Sequence, residues 1–543
     1  MGKRKGFFVM FSFFKKKYNQ TRLTNDKSQK DLLGTDLSET IQRIKKETGN
    51  SSDIVIRELK KGEPRISLAI VYVDGLIDDT SVHDFIIESI YESDMKTEQT
   101  VQGMIESLST QVVAMGPIQK AKEWEQLYTE LMDGNTIILI EGIGEFMSVD
   151  TIGGEQRAIE EPESQVTVRG PRDGFTESIR TNTSLVRRKI RNQNLWVESM
   201  KIGNRTKTNV EIMYLKDVVN EQIVDEVRSR LQKIEIDAIL ESGYIEQLIE
   251  DQVWTSFPTL YHTERPDSVA GNILEGRVAI FVDGTPFVLL APAVFIQFFQ
   301  SVEDYYARFD IATALRFLRI QTFLLSIIAP SVYIAGTTFH QEMIPTELAI
   351  IIAAQRESVP FPAFIEAIMM EVTFEILREA GVRMPRAVGS AISIVGALVI
   401  GQAAVQAGIV SPAMVIIVSI TAIANFSTPS FAIAISSRLI RFVFMVAAAT
   451  FGMYGVILGI IFLVVHLCNL RSFGVPYMTP IAPSTFGNLG DTLIRVPLWT
   501  TRNRANLIMK GKQMHGGKMP KPKPPKGRNM TVRESEKGDS NDS

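Results

Sequence analysis

The chain has 543 residues, 58 Lys plus Arg against 61 Asp plus Glu, and a formal net charge of -3. That length suits roughly three to four folding units, and a balance so near neutral excludes a protein that coats nucleic acid through a global basic field. The single cysteine, Cys468, excludes an intramolecular disulfide and any multi-cysteine metal site within one chain.

Lys3, Arg4 and Lys5 precede a mostly apolar run, Phe7 to Phe14, and three lysines follow it. A secretory signal needs a small-residue cleavage site there, and the run is too short to span a bilayer. It is either a basic aromatic patch lying on an anionic inner leaflet or a frayed tail. Residues 1–59 are therefore expected to be a basic, largely disordered extension.

Two segments further on share a pattern. Ile66 to Ile77 predicts a strand leading into a helix near Val82–Tyr91, and Val210 to Val219 predicts a strand leading into a helix at about Gln222–Lys233. Tyr72 and Tyr214 lie 142 residues apart. Gly134 to Gly142 and Gly276 to Gly284 repeat that offset, each with a turn glycine, a buried apolar strand, an acidic residue and a second glycine. Two such pairs point to a tandem duplication, with α/β subdomains at 60–150 and 200–285.

Between them, residues 151–199 form a charged linker in which Glu163, Arg169, Arg172, Asp173, Arg180, Arg187, Arg188 and Arg191 mix both signs. It is either solvated or an ion-pairing joint between subdomains or subunits, for which Glu163, Arg169, Arg172 and Asp173 are the candidates. No Gly-rich loop ends in Gly-Lys-Ser or Gly-Lys-Thr, the five histidines are scattered, and no serine sits in a nucleophile elbow. Nothing marks a catalytic, cofactor or metal site, and no enzyme activity is expected.

Charge then disappears. Ala387 to Ser437 contains no Asp, Glu, Lys, Arg or His, so the mean hydropathy of +0.07 averages two unlike halves. Residues 286–480 are expected to form a membrane domain of about four to six helices. The spans are Ile320–Phe339 (kinked at Pro330), Ala387–Val410, Pro412–Ser437 and Phe442–Leu470. Phe287–Phe299 is apolar but short, which suggests an interfacial or half-inserted helix. Ala349–Ala380 carries too many carboxylates for lipid exposure and suggests a partly inserted amphipathic hairpin. The alternative is an acidic ring of Glu366, Glu371 and Glu375 near an ion path. Ala387–Val410 is rich in Gly, Ala and Ser, which suits close helix packing. It also suits a pore in which Val395, Val399 and Gln402 share one face and gate by dewetting.

Four spans put both ends on one side, and a basic tail favours the cytoplasm. Arg383, Arg386, Arg438 and Arg441 cannot all lie inside by that count. Residues 481–543, with Lys521-Pro-Lys-Pro-Pro-Lys526, read as a basic, Pro-rich, disordered cytoplasmic tail.

The stretch Glu161-Pro-Glu-Ser-Gln-Val-Thr-Val-Arg-Gly-Pro-Arg-Asp-Gly-Phe-Thr-Glu177 resembles the signature of the A subunits of spore nutrient-germinant receptors, the GerA family. Val359-Pro-Phe-Pro-Ala363, Arg378 to Pro385 and Tyr477 to Pro483 carry the same resemblance, which runs in order from about residue 60 to 490. It implies a multi-pass protein of the bacterial spore inner membrane, with its amino-terminal domain on the spore-core side. It also implies a transporter-like B subunit that binds the germinant, a lipoprotein C subunit, and a homo-oligomeric ring, plausibly a pentamer, that releases cations.

The expected fold is an α+β multidomain membrane protein, a duplicated α/β cytoplasmic region followed by an all-α transmembrane region. The expected function is a subunit of an oligomeric, germinant-gated cation channel. The alternatives are a scaffold or sensing subunit beside another conductor, and a secondary transporter, against which no membrane repeat is visible.

Overall fold

The computed structural model describes residues 31–61, 66–78, 80, 82, 118–153, 161–162, 165–383, 401–483, 491–497 and 499. Helix α1 (Leu37–Glu47) starts where the Asp36 carboxylate accepts from the Glu39 amide, and it buries Leu37, Ile41 and Ile44. There follow β1 (Ile54–Lys61), β2 (Ile66–Val73), β3 (Gln119–Ala121), α2 (Trp124–Asp133), β4 (Thr136–Ile140) and β5 (Phe146–Val149). Their sheet has the order β1-β2-β4-β5-β3, and each neighbouring pair is antiparallel.

The second unit repeats this plan. It comprises α3 (Ile179–Lys189), β6 (Leu195–Ile202), β7 (Thr208–Leu215), α4 (Glu221–Gln232), α5 (Ser242–Ile249), β8 (Tyr261–Thr263), α6 (Pro266–Leu274), β9 (Val278–Val282) and β10 (Val288–Ala291). Its sheet order, β6-β7-β9-β10-β8, is that of the first. Strands β2 to β5 start 142 residues before β7 to β10, and α1 and α2 start 142 residues before α3 and α6.

Three sequence expectations are corrected here. The supposed extension contributes α1 and β1, and the supposed linker contributes α3 and the start of β6. Helix α3 escapes hydrophobic periodicity because its buried face is made largely of Thr181, Asn182, Thr183, Ser184 and Arg187. Phe287–Phe299 is no interfacial helix: it holds β10 and a 3-10 turn (Phe295–Phe299), apolar because they lie in the core of the second unit. The predicted helix near Val82–Tyr91 falls almost wholly outside the described residues, as do residues 1–30 and 501–543.

The joint between the repeats is polar. Arg187, with no exposed surface, places Nε 2.9 Å and Nη2 3.0 Å from the two carboxylate oxygens of Asp53, and Nη1 3.3 Å from the Asn192 carbonyl. The Val197 amide donates to Ser51 Oγ at 2.8 Å, and the Ser52 amide to the Val197 carbonyl at 2.9 Å. Gly49, at φ +66°, lies under the Trp196 ring, where a Cβ would come within 2.1 Å. Arg180 pairs with Asp74, and Arg191 with Asp133 at 2.7 Å.

After this region come α7 (Glu303–Tyr306), α8 (Phe309–Thr338), α9 (Thr346–Arg356), α10 (Ala363–Arg383), α11 (Gly401–Gln406), α12 (Pro412–Phe426) and α13 (Phe431–Asn469). Among the described residues, α8 and α13 are the two helices long and apolar enough to cross a membrane. Helix α13 is not straight. Ser436 and His466 would stand about 45 Å apart along a continuous helix. Yet Ser436 Oγ donates to the Ser256 carbonyl while His466 Nε2 lies 2.9 Å from Thr255 Oγ1. Gly452, at φ +62° and ψ -143°, reverses the chain, so a Cβ on Gly459 would sit 3.0 Å from the Phe444 ring. The element is a helical hairpin with its tip against Phe339 and His340 at the end of α8.

The expected span Pro412–Ser437 is therefore corrected. Helix α12 stops at Phe426, Pro429 cannot supply a helical amide, and the first arm of α13 starts at Phe431. Residues 387–400 of the expected span Ala387–Val410 lie outside the described residues.

Glu211, on β7, makes the joint sensitive to pH. Burial, with Asp53, Asp74 and Asp283 nearby, pushes its carboxyl up to about 7 from an ordinary 4.5. The folded chain then holds a proton that the unfolded chain releases, so stability falls as pH rises from about 4.5 to about 7 and stays low above it. Glu211→Gln is expected to flatten that slope and raise stability at pH 8 by about 1–3 kcal/mol, read from unfolding curves of the detergent-purified chain across pH. Identical slopes in both proteins would contradict this origin.

Candidate functional site

The segment around Arg169 to Glu177 is folded around one arginine. Arg265 is 1% exposed. Its Nη1 donates to the Gln165 carbonyl (3.1 Å) and Thr167 Oγ1 (3.2 Å), and its Nη2 to the Pro171 carbonyl (2.9 Å) and Asp267 (2.8 Å). Tyr306, on α7, donates to Asp267 at 2.7 Å and lies so close to Gly170 that a Cβ there would come within 2.7 Å of its ring. The segment thus ties the second repeat to the start of the helical region.

The expected joint residues have other partners. Arg172 forms an exposed pair with Glu161 at 2.9 Å, Asp173 pairs with Lys189 at 2.8 Å, and the Arg169 amide reaches Glu303 at 3.4 Å. Glu163 lies outside the described residues. The arginines that bridge the repeats include Arg180, Arg187, Arg188 (to the Gly153 carbonyl at 2.8 Å) and Arg191, all in the same charged run. Arg265 carried no distinguishing signal, since nothing in Arg265-Pro266-Asp267 reveals that the guanidinium is buried.

A second arginine cluster closes the boundary between the repeats and the helices. Arg316, 1% exposed, donates from Nε to Asp304 at 3.0 Å and from Nη1 to the Asp491 carbonyl at 2.9 Å. Arg319 donates to both oxygens of Asp304 at 2.9 Å, and Tyr305 to Asp491 at 2.9 Å. The segment 491–497 therefore belongs to the folded body and not to a disordered tail, a correction the sequence hid because its anchors lie 175 or more residues away. The motif residue Tyr477 is fully buried and donates to the Pro258 carbonyl at 2.8 Å.

Within the helices the carboxylates do not form a free acidic ring. Glu366 is fully buried: one oxygen accepts from the Ser411 amide (3.1 Å) and hydroxyl (2.8 Å), and the other stands 3.4 Å from Arg356. Glu371 pairs with Arg441 at 2.6 Å, and Arg441 also donates to the Ser326 carbonyl at 2.6 Å. Glu375 pairs with Arg438. Bare charges are too costly in an apolar bundle, so each carboxylate has taken an arginine from another helix or from the preceding one. Val395 and Val399 lie outside the described residues. Gln402 is exposed on α11, as is Gln406 one turn later.

A duplicated α+β region, tied through buried arginines to helices long and apolar enough to cross a membrane, fits a membrane-associated protein. The family model described as Bacillus/Clostridium GerA spore germination protein matches residues 42–507. The chain is 56% identical to spore germination protein KA of Bacillus subtilis (strain 168), over 95% of this chain and 94% of that one. It is 40% identical to spore germination protein GerLA of Bacillus cereus, over 88% and 96%. It is also similar to the crystal structure of the N-terminal domain of the A subunit of the Bacillus megaterium spore germinant receptor GerK3. That match has 47% identity and a TM-score of 0.41, covering 50% of this chain and 99% of that one. The chain belongs to the GerA family of spore germination proteins, as one of its A subunits.

The pairing of Glu371 with Arg441 makes a direct prediction. Arg441→Met leaves a buried carboxylate unpaired and is expected to cost about 3–5 kcal/mol, whereas Arg441→Met with Glu371→Leu recovers most of the loss. Thermal unfolding of the detergent-purified chain checks this, and equal losses in the single and double variants would contradict the pairing.

Proposed function

We propose that this chain is one protomer of an oligomeric, germinant-gated cation channel in the spore inner membrane. It works with a transporter-like B subunit that binds the nutrient and a lipoprotein C subunit. The assembly is a ring, with a pentamer as the working stoichiometry.

The observation that carries this reading is the outward face of α11. Gln402 and Gln406 are four residues apart and both exposed, on a helix that continues the small-residue stretch from Ala387. Amide side chains are unfavourable against lipid, so this face suits a water-filled axis or a second copy. The carboxylates of α10 are already neutralised within the chain, which leaves ion passage to a hydrophobic constriction at Val395 and Val399 rather than to an acidic ring.

The contacts also support a topology. Helix α8 leads away from the soluble repeats to the tip of α13. Helix α10 returns, because its Glu366 meets Ser411 at the start of α12 while its Glu375 meets Arg438 near the repeats. With Ala387–Val410 as an outward span, α12 as a return and two arms in α13, six crossings keep both ends on the core side. Arg438 and Arg441 then lie within a crossing, paired, and drop out of the loop-charge count that four spans could not satisfy.

Val395→Ala or Val399→Ala should widen the constriction and raise cation release from spores before any nutrient is added, and Gln402→Leu should lower nutrient-triggered release. Unchanged basal release in both valine variants would remove the pore assignment. Cation flux in liposomes carrying only the partner subunits would instead make this chain a scaffold or sensor.

A further inference from the structure

The second repeat carries an apolar surface that its own core does not use. Helix α5 buries Ser242, Ile245 and Ile249 on one side, yet Tyr244 and Leu248 on the other are 42% and 50% exposed. Leu240, Val253 and Trp254 extend this patch at 64%, 69% and 98% exposure. An indole left almost wholly in water is an unfavourable arrangement for a soluble domain.

Its neighbours give its position. Thr255 and Ser256, the next two residues, hold His466 and Ser436, the ends of the two arms of α13. Trp254 therefore stands at the level where the apolar hairpin meets the soluble repeats. Trp and Tyr are the side chains favoured at that level of a bilayer, where an apolar ring and a polar edge are both satisfied.

The duplication supplies an internal control. The offset of 142 holds on both sides of this segment, between β2 and β7 and between β3 and β8. At that offset Leu240, Tyr244, Leu248 and Val253 correspond in sequence to Glu98, Gln102, Glu106 and Gln111. Trp254 corresponds to Val112, so four of these five exposed apolar positions of the second repeat are polar in the first.

Nearby acids are turned inward or weakened. Glu241 caps α5 and accepts from Thr285, Asp251 pairs with Arg230, and Glu246 lies 3.8 Å from His262. Burial and the neighbouring Glu246 push Glu250 up to about 7. Repulsion from anionic headgroups is correspondingly small.

We propose that residues 240–254 form a platform seated in the headgroup layer of the bilayer beside α13, fixing the tilt of the second repeat on the membrane. This rests on the membrane-embedded reading of α13. The occupant of the patch is the lipid surface, because the patch adjoins Thr255 and Ser256, which hold the ends of the apolar hairpin.

Single-cysteine variants of the full chain in a Cys468→Ser background test this, nitroxide-labelled in vesicles of phosphatidylglycerol and phosphatidylethanolamine. The labelled substitutions are Trp254→Cys, Leu248→Cys, Glu106→Cys and Val443→Cys, and collisions with oxygen and with a water-soluble nickel chelate are compared. Oxygen should dominate at positions 248, 254 and 443, and nickel at 106. If position 443 favours oxygen but 248 and 254 favour nickel, the platform is wrong while the membrane reading survives. Labels at 248 and 254 shielded from both reagents would also overturn it, in favour of a protein covering such as a second copy. Nickel dominance at 443 would overturn both.

Discussion

Arginine taken out of water and paired with carboxylate is the constraint on which this architecture depends. Arg187 meets Asp53 across the two repeats, Arg265 and Asp267 gather the signature segment, Arg316 meets Asp304 and Asp491 at the edge of the bundle, and Arg441 meets Glu371 within it. Such pairs add little net stability compared with apolar groups of the same shape, because desolvation cancels much of the attraction. Leaving one partner alone is costly. Each pair therefore acts as a geometric specification: neighbouring elements must dock in one arrangement or expose a buried charge.

Around those joints the duplicated units have diverged in purpose. Both use the same antiparallel sheet order, with α1 and α3 opening the repeats. The joint described ties the first repeat to the second, while the second also receives the ends of α13, the turn around Tyr477 and the base of α8. A rearrangement in the soluble repeats can reach the helices through the second unit, where Arg316 and Arg265 lie on either side of α7. That route suits the gated assembly proposed above.

The duplication was legible because its strands are strongly patterned and their flanking glycines recur at a fixed offset. Its first helix in each copy was not: α1 shows only three apolar residues among charges, and α3 buries threonines, an asparagine and an arginine. Phe442–Leu470 reads as one long span because Gly452 in an apolar run resembles a packing glycine, and only its positive φ reveals a reversal. The acids of α10 looked like a ring because spacing along one helix says nothing about partners. A signal was present even so. Arg438 and Arg441 interrupt an otherwise uncharged stretch, and arginines in that setting need carboxylates, of which α10 is the rich neighbouring source. Of the pore candidates, Val395 and Val399 lie outside the described residues and Gln402 is exposed on α11.

The account stands on the claim that the arginine joints make the repeats and the helices one body. Amide hydrogen exchange of the full chain in lipid nanodiscs tests it most directly. The hydrogen-bonded amides of Ser52, Val197, Phe175 and Asp304, one or more at each joint, should exchange as slowly as those of β7, since opening any joint strands a buried charge. Exchange at those amides on the timescale of open loops, with β7 still protected, would contradict it.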